Sequence, residues 1–420
     1  LYLLNGRRET RLIFNEALTS APEQSQLFSI SRRYDKVLGH LVSEEQTTLF
    51  FADKKENAIH YQLFENGAQV PVQGTLESVD ISNETIIGSF NKGGRFYILT
   101  VPKRSSVVKN YAFTSHENFR VTEYDLSDVD LGNPKENLHS ILFSDRVGVY
   151  SNWELDIPCI PGEGGSVLKD ASRPIKIYPF ENEAIITLDH EYNKTILIRI
   201  FLNSRFSEVD YFNYPMLSDF VYSFNSYYLN DRLYQMVTTS KEMSLTVFQV
   251  STGESLKDIQ INKGDEIWFR NTPMFLNKTS NLSGEKRLEI TETKEILKRL
   301  TKFELGLSVR EVSDRLELKV GVYDEVRRKF SLPIAELGTI FLDISLYETL
   351  NKEYYFKSMF SLGLQHLSGE EVTLDYYEQI EGISEMDFMA EFDVPFNGKI
   401  IYGYFDKKSR RFNLFQLNDQ

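Results

Sequence analysis

Short apolar runs that alternate with polar residues, each broken by a cluster of turn residues, recur along almost the whole chain. A side-chain period of two belongs to strands with one buried face, so this pattern restricts the chain to an all-β fold. Residues 1–4 and 7–14 read as a hairpin joined by Asn5-Gly6, whose residue types supply the positive φ angles of a two-residue turn. Strand–turn–strand units follow at 49–51 and 58–64, at 85–90, 95–101 and 106–113, and at 184–188 and 195–201. Further ones lie at 232–238 and 244–250, at 305–311 and 315–323, and at 399–405 and 410–417. Turn centres near residues 54, 103, 192, 241 and 407 imply a repeat of roughly 40–50 residues, the range of propeller blades.

Two stretches break this rhythm. Residues 126–136 read as an acidic loop, and residues 291–303 as a helix with Thr291 or Thr293 as its cap. Ile296, Leu297, Leu300 and Phe303 recur on one helical face, which predicts packing against a sheet. The Pro/Gly cluster at 158–165 reads as a loop or a hinge between two halves of the β structure.

Charge excludes one class of function. With 47 Lys+Arg against 61 Asp+Glu the formal net charge is −14, the wrong sign for a general nucleic-acid binder. The single cysteine, Cys159, rules out an intramolecular disulfide and a Cys-based zinc site. No apolar run reaches the ~18 residues of a transmembrane helix. The opening Leu1-Tyr2-Leu3-Leu4 is too short for a signal-peptide core. It reads either as a trimmed start or as a mature chain whose leader and anchor are missing.

The chemical motifs lead away from catalysis. Gly162-Glu163-Gly164-Gly165-Ser166 lacks the Lys of a phosphate loop, and its Glu would repel an anion. The six histidines are scattered, and His116-Glu117 and His190-Glu191 each stop short of a metalloprotease motif. Asp125, Asp128 and Asp130, near Asn133, form the densest run of oxygen ligands and are the candidate calcium ligands, although Gly132 is misplaced for an EF-hand. No catalytic residue and no cofactor are assigned. Adjacent acids such as Glu44-Glu45 and Glu370-Glu371 would face opposite ways on a strand. Arg7-Arg8, Arg32-Arg33, Arg327-Arg328-Lys329 and the basic residues at 407–411 are read as solvated turns that discourage edge pairing.

Aromatic residues make up 13% of the chain and cluster at 211–214, 222–228, 354–356 and 376–377. They suit either sheet packing or an interface. Alternate residues of a strand face opposite ways, so the segment 211–228, with Tyr211, Phe212, Tyr214, Tyr227 and Tyr228, is the candidate partner-binding surface.

The recurring meander and the Phe-, Tyr-, Asn-, Ile- and Lys-rich strands resemble the divergent TolB-like β-propellers, often lipoproteins, of the Bacteroidota envelope. The chain lacks the Trp-Asp ends of WD repeats, the Gly-Gly pairs of kelch repeats and the Ser-x-Asp-x-Gly box of sialidases, so no family site residue carries over. The resemblance implies an extracytoplasmic protein, in the periplasm or at the cell surface, peripheral to the membrane. It further implies a non-catalytic scaffold for a protein partner such as an outer-membrane barrel or a secretion or transport complex. The alternative is a propeller enzyme acting on a carbohydrate or lactone through an axial acid or metal site. The expected architecture is a propeller of seven blades, with six or eight as alternatives, over residues 47–420, and residues 1–46 supply strands that close the ring. Two β-sandwich domains joined near 158–165 are the rival.

Overall fold

The computed structural model describes residues 2–5, 8–12, 25–29, 36–43, 45–53, 55, 57–65, 71–143, 157–162, 164–218, 223–280, 284–337, 340–369, 372, 388–396, 399–406 and 411–417. Among them are seven antiparallel sheets. The first has three strands, β1 (Tyr2–Asn5), β2 (Arg8–Leu12) and β3 (Ser25–Ser29). Four-stranded meanders follow. One is β4 (Lys36–Val42), β5 (Gln46–Ala52), β6 (Ile59–Glu65) and β7 (Val72–Thr75); the next is β8 (Glu84–Lys92), β9 (Arg95–Pro102), β10 (Val107–Phe113) and β11 (Phe119–Asp125). Two short helices, α1 (Leu138–Leu142) and α2 (Leu168–Ala171), precede β12 (Ile175–Pro179), β13 (Glu183–Glu191), β14 (Lys194–Phe201) and β15 (Ser207–Asn213). The fourth meander is β16 (Ser223–Leu229), β17 (Arg232–Thr238), β18 (Glu242–Gln249) and β19 (Ser255–Asn262).

A five-stranded sheet departs from sequence order. It is built from β20 (Met274–Ser280), β21 (Gly284–Ile290), β22 (Glu304–Val312), β23 (Arg315–Leu337) and β24 (Ile340–Ser361), in the order β21-β20-β24-β23-β22, and α3 (Thr293–Leu300) lies between β21 and β22 in the chain. The last sheet is β25 (Phe388–Phe396), β26 (Lys399–Asp406) and β27 (Arg411–Leu417). The fold is therefore all-β, and its successive four-stranded meanders are of the β-propeller type.

The repeat read from the sequence has a single structural origin. All five turn centres fall between the second and third strands of their sheets. These inner strands are largely buried: β9 and β17 each expose no residue, whereas the fourth strands β7, β11 and β19 are mostly exposed. Tight turns come from polar pairs, of which Ser313-Asp314 is legible in the sequence as the turn between 305–311 and 315–323, and Asn230-Asp231 was passed over. Asn230 and Asp231 (φ 50° and 58°) join β16 to β17, and Ser313 and Asp314 (φ 48° and 63°) join β22 to β23. Consecutive left-handed residues match the strand twist of a hairpin. At the N-terminus the register pairs Asn5 with Arg8, so Asn5 belongs to β1 and the turn falls one residue later than expected.

Two compact units are present: Leu1–Ile98, Tyr111–Arg120 and Thr373–Gln420 in one, and Leu99–Asn110 with Val121–Val372 in the other. In the first, Phe50 stacks on Phe96 (ring centroids 4.7 Å apart) and Phe113 packs against both. Gly39 makes that stack possible, since a Cβ there would overlap the Phe96 ring. In the second, a larger core joins Ile185, Leu197, Tyr227, Met236, Leu307 and Val320.

Within the second unit the Pro/Gly cluster is a strap and not a hinge. Ile160 N donates to Ile177 O (2.7 Å) and Ile177 N to Pro158 O (2.9 Å), while Gly165 N donates to Val309 O (2.8 Å). The segment is thus tied to both β12 and β22 within one unit, which removes it as the junction of the rival two-sandwich arrangement. Gly164 (φ 85°) is required at this point, because a Cβ would come within 2.7 Å of Val309 O.

The helix forms where its apolar spacing predicts, with Ile296, Leu297 and Leu300 fully buried and Phe303 stacked on Tyr354. Its N-cap is Glu292, without a side-chain cap bond, and not Thr291 or Thr293. The basic triplet Arg327-Arg328-Lys329 lies inside β23 and not at a turn. Strands β23 and β24 continue as a two-stranded arm beyond the rest of their sheet. β22 pairs with β23 only up to Tyr323, β20 with β24 only down to Leu350, and the mutual register runs on to Leu337 opposite Ile340. Among the described residues, no helix is long and apolar enough to cross a membrane.

Candidate functional site

The densest polar constellation in the second unit lies on β12–β17, inside apolar runs. Lys176 sits between Ile175 and Ile177, and Asp189 follows Leu188. Both are buried, together with Thr195, Tyr214, Asn225, Ser226 and Gln235. Asp189 Oδ1 accepts from Tyr214 OH (2.6 Å) and Thr195 Oγ1 (2.7 Å). Its Oδ2 accepts from Ser226 Oγ (2.8 Å), Ser226 N (3.0 Å) and Lys176 Nζ (3.3 Å). Lys176 Nζ also donates to Arg173 O and Asn225 Oδ1, both at 2.6 Å. Asn225 Nδ2 reaches Leu305 O on β22, and Gln235 Nε2 reaches Thr195 Oγ1 and Phe212 O.

This arrangement decides its own chemistry. An ammonium has three donors and a carboxylate about four acceptor sites. Every donor of Lys176 is engaged, and five donors converge on Asp189. Of the atoms in this centre only Gln235 Oε1, a neutral acceptor, has no partner. Burial pushes the Lys176 ammonium pKa down against the opposing pull of Asp189. Burial and then the Asp189 charge push the Tyr214 phenol well above its ordinary value. No acid or base with a free valence faces outward, so the centre cross-links two meanders to β22 as a lock.

The candidate calcium ligands do not converge. Asp125 turns back to Ser127 N (2.9 Å). Asp130 accepts from Gly132 N (2.9 Å) and Lys194 Nζ (2.8 Å), both contacts holding its carboxyl below the usual range. Among the described residues no group of three or more His, Cys, Asp or Glu is placed to hold a metal ion, which removes Asp125, Asp128 and Asp130 as a ligand set. The acidic loop instead docks on the β13–β14 turn: besides the Asp130–Lys194 pair, His190 Nε2 lies 2.8 Å from Leu131 O, and Gly132 packs against Glu191. The glycine loop is likewise occupied, since Gly164 N donates to Pro161 O and Ser166 N to Ser308 Oγ.

The five candidate interface aromatics separate. Phe212, Tyr214, Tyr227 and Tyr228 are buried in the second unit. Tyr227 and Tyr228 meet Tyr178 edge-on, and Phe212 packs on Phe248. Arg199 and Asp231 act on the Tyr228 phenol in opposite directions, but its burial dominates and pushes the pKa up to about 12. Tyr211 alone reaches the surface, 43% exposed, with Lys194 Nζ 4.7 Å from its ring centre. Two further exposed residues lie at the same end of this sheet: Tyr192, 68% exposed, which the sequence reading missed, and Met216, 95% exposed, within the 211–228 segment. Tyr214 N bonds Asn193 O (2.8 Å), which brings the residues beside Tyr192 and Met216 together. The available signal was an aromatic in a turn and a Met after Pro215 at a strand end. Tyr354, Tyr355 and Phe356 are core residues, and residues 376–377, 44 and 370–371 lie outside the described residues.

No protein-family model and no curated protein matches the chain. Solved structures align at low similarity. One is the β-propeller domain of the Trilobed protease from Pyrococcus furiosus, 8% identical over 92% of this chain and 96% of that one, with a TM-score of 0.31. A prolyl endopeptidase is 8% identical over 91% of this chain, which spans 50% of that protein, with a TM-score of 0.29. The catalytic domain of a Coprinopsis cinerea GH62 α-L-arabinofuranosidase is 8% identical over 77% and 92%, with a TM-score of 0.25.

Proposed function

We propose that this chain is a non-catalytic binding or scaffold protein of the propeller type, and that a protein partner docks where Tyr192, Tyr211 and Met216 are exposed. The observation that carries this reading is the contrast between the two sites. The buried polar centre has no charged group left for a substrate, whereas the surface at the β14–β15 end presents two aromatic rings and a methionine to solvent. Aromatic residues and Met are enriched at interfaces, and covering one such side chain is worth about 1.5–3 kcal/mol. The setting in this reading is the cell envelope, which the resemblance in strand texture to TolB-like propellers supports.

The test is co-purification from the native host followed by mass spectrometry, with the wild-type chain and a Tyr211→Ala/Met216→Ala double variant as baits. A partner retained by the wild type and lost by the variant, with melting temperature unchanged, is the expected result. Equal recovery by both would remove this surface from the reading.

A further inference from the structure

The arm formed by β23 and β24 has two free edges, and they differ in chemistry. Past Tyr323 and Leu350 neither strand pairs with anything but the other among the described residues. With a rise of about 3.3 Å per residue, the dozen residues on each strand extend roughly 40 Å. A two-stranded ribbon alone is marginal in water, and an unprotected edge is a template for another strand. The β23 edge carries the usual protections: Arg327, Arg328 and Lys329 stand in sequence, and Pro333 lacks an amide hydrogen. Residues 340–349 of β24 contain no Pro, Lys or Arg. Of the arm's two edges, that one alone lacks these protections and is open among the described residues.

We propose that the free edge of β24 over residues 340–349 pairs antiparallel with the same edge of a second copy, about a twofold axis at Ile344. Self-complementarity selects this occupant and this register. With Ile344 opposite its counterpart, Leu342 falls opposite Leu346, Phe341 opposite Tyr347, Asp343 opposite Ser345 and Ile340 opposite Glu348. Ile344, the Leu342–Leu346 pair and the Phe341–Tyr347 pair bring apolar or aromatic residues together, Ile340 alone falls opposite an acid, and neither acid meets its own kind, a condition that matters because like charges directly opposite destabilise a strand pair. An isologous contact also closes after two copies, where a heterologous one would continue into a filament.

The register gives charge substitutions of opposite sign at one position. Ser345→Lys places a cation opposite Asp343 of the second copy and tightens the dimer roughly threefold to tenfold; Ser345→Asp loosens it by a similar factor. Sedimentation equilibrium on the full chain reads both, with far-UV circular dichroism confirming that the fold is retained. A structural lesion would shift both variants in one direction, and that outcome overturns the proposal. In a Cys159→Ser background, Ile344→Cys is expected to form an intermolecular disulfide, because directly opposed residues have Cα atoms about 4.5–5.5 Å apart. Ser331→Cys, on the protected strand, is the control. The proposal fails if the wild type is monomeric at all concentrations, or if Ile344→Cys cross-links no more than Ser331→Cys. It also fails if the arm floats with anionic phosphatidylserine vesicles as a monomer, which would assign the edge to lipid.

Discussion

Tyr214, just past the end of β15, donates its hydroxyl to Asp189 in β13 across 2.6 Å, and both groups are sealed from solvent. The bond joins a loop residue to the one carboxylate on which the polar centre depends. Tyr214→Phe keeps the ring against Phe224 and removes only the oxygen. Asp189 retains four donors, so the loss is that of one charge-assisted bond, about 1.5–3 kcal/mol. Urea denaturation should show the midpoint falling with an unchanged slope.

The Lys176–Asp189 pair gives a sharper test. Removing one partner leaves a buried charge unpaired, and costs of about 3–5 kcal/mol are typical. Lys176→Met and Asp189→Leu are each expected to destabilise by that order. The double variant should recover a large part of the loss, because well-packed apolar residues often replace a buried ion pair at little cost. A thermal-denaturation double-mutant cycle measures the coupling, and strictly additive losses would show that the two groups act separately.

Alkaline pH should weaken the fold. Tyr178, Tyr214 and Tyr228 have pKa values raised from 10.0, that of Tyr228 to about 12. Between pH 10 and their folded values the unfolded chain loses protons that the folded chain keeps, so stability falls as pH rises. Lys176 acts in the opposite sense: its folded pKa lies below 10.5, and its contribution rises with pH until that value. Four phenols, Tyr234 among them, outweigh one ammonium, and above pH 10.5 Lys176 no longer opposes them. Denaturation midpoints at pH 9, 10 and 11 check the slope, and tyrosinate absorbance should rise sharply on unfolding.

Gly39→Ala tests the first unit. The new methyl meets the Phe96 ring, which is already stacked on Phe50 and Phe113. Overpacking of this kind costs about 1–3 kcal/mol. Hydrogen exchange should show lost protection in β4 with unchanged protection in β13 and β17.

The sequence was most legible where burial and period coincide. The hairpins at β5–β6, β13–β14 and β17–β18 have long buried runs ending in turn residues, and their positions were read within a few residues. The outer strands β7, β11 and β19 carry mixed surface residues with little period, and all three went unread. Lys176 and Asp189 were invisible because a lone charge inside an apolar run looks like noise until two strands bring it opposite another. The aromatic segment divides between core and surface for a related reason. Alternation shows that two faces exist, but not that both are covered, and Phe212 and Tyr214 are buried while Tyr211 is exposed.

The unit built from Leu1–Ile98, Tyr111–Arg120 and Thr373–Gln420 is discontinuous in the chain, whereas most of the other is the single stretch Val121–Val372. During synthesis, then, residues 1–98 emerge well before residues 373–420 of the same unit, while the middle of the chain can already have its core. Through that interval β1 lacks β25, which it contacts in the finished unit, and a chaperone or the nascent chain's own neighbours would have to shield it. Translation speed across residues 121–372 therefore sets how long β1 remains open to misassociation.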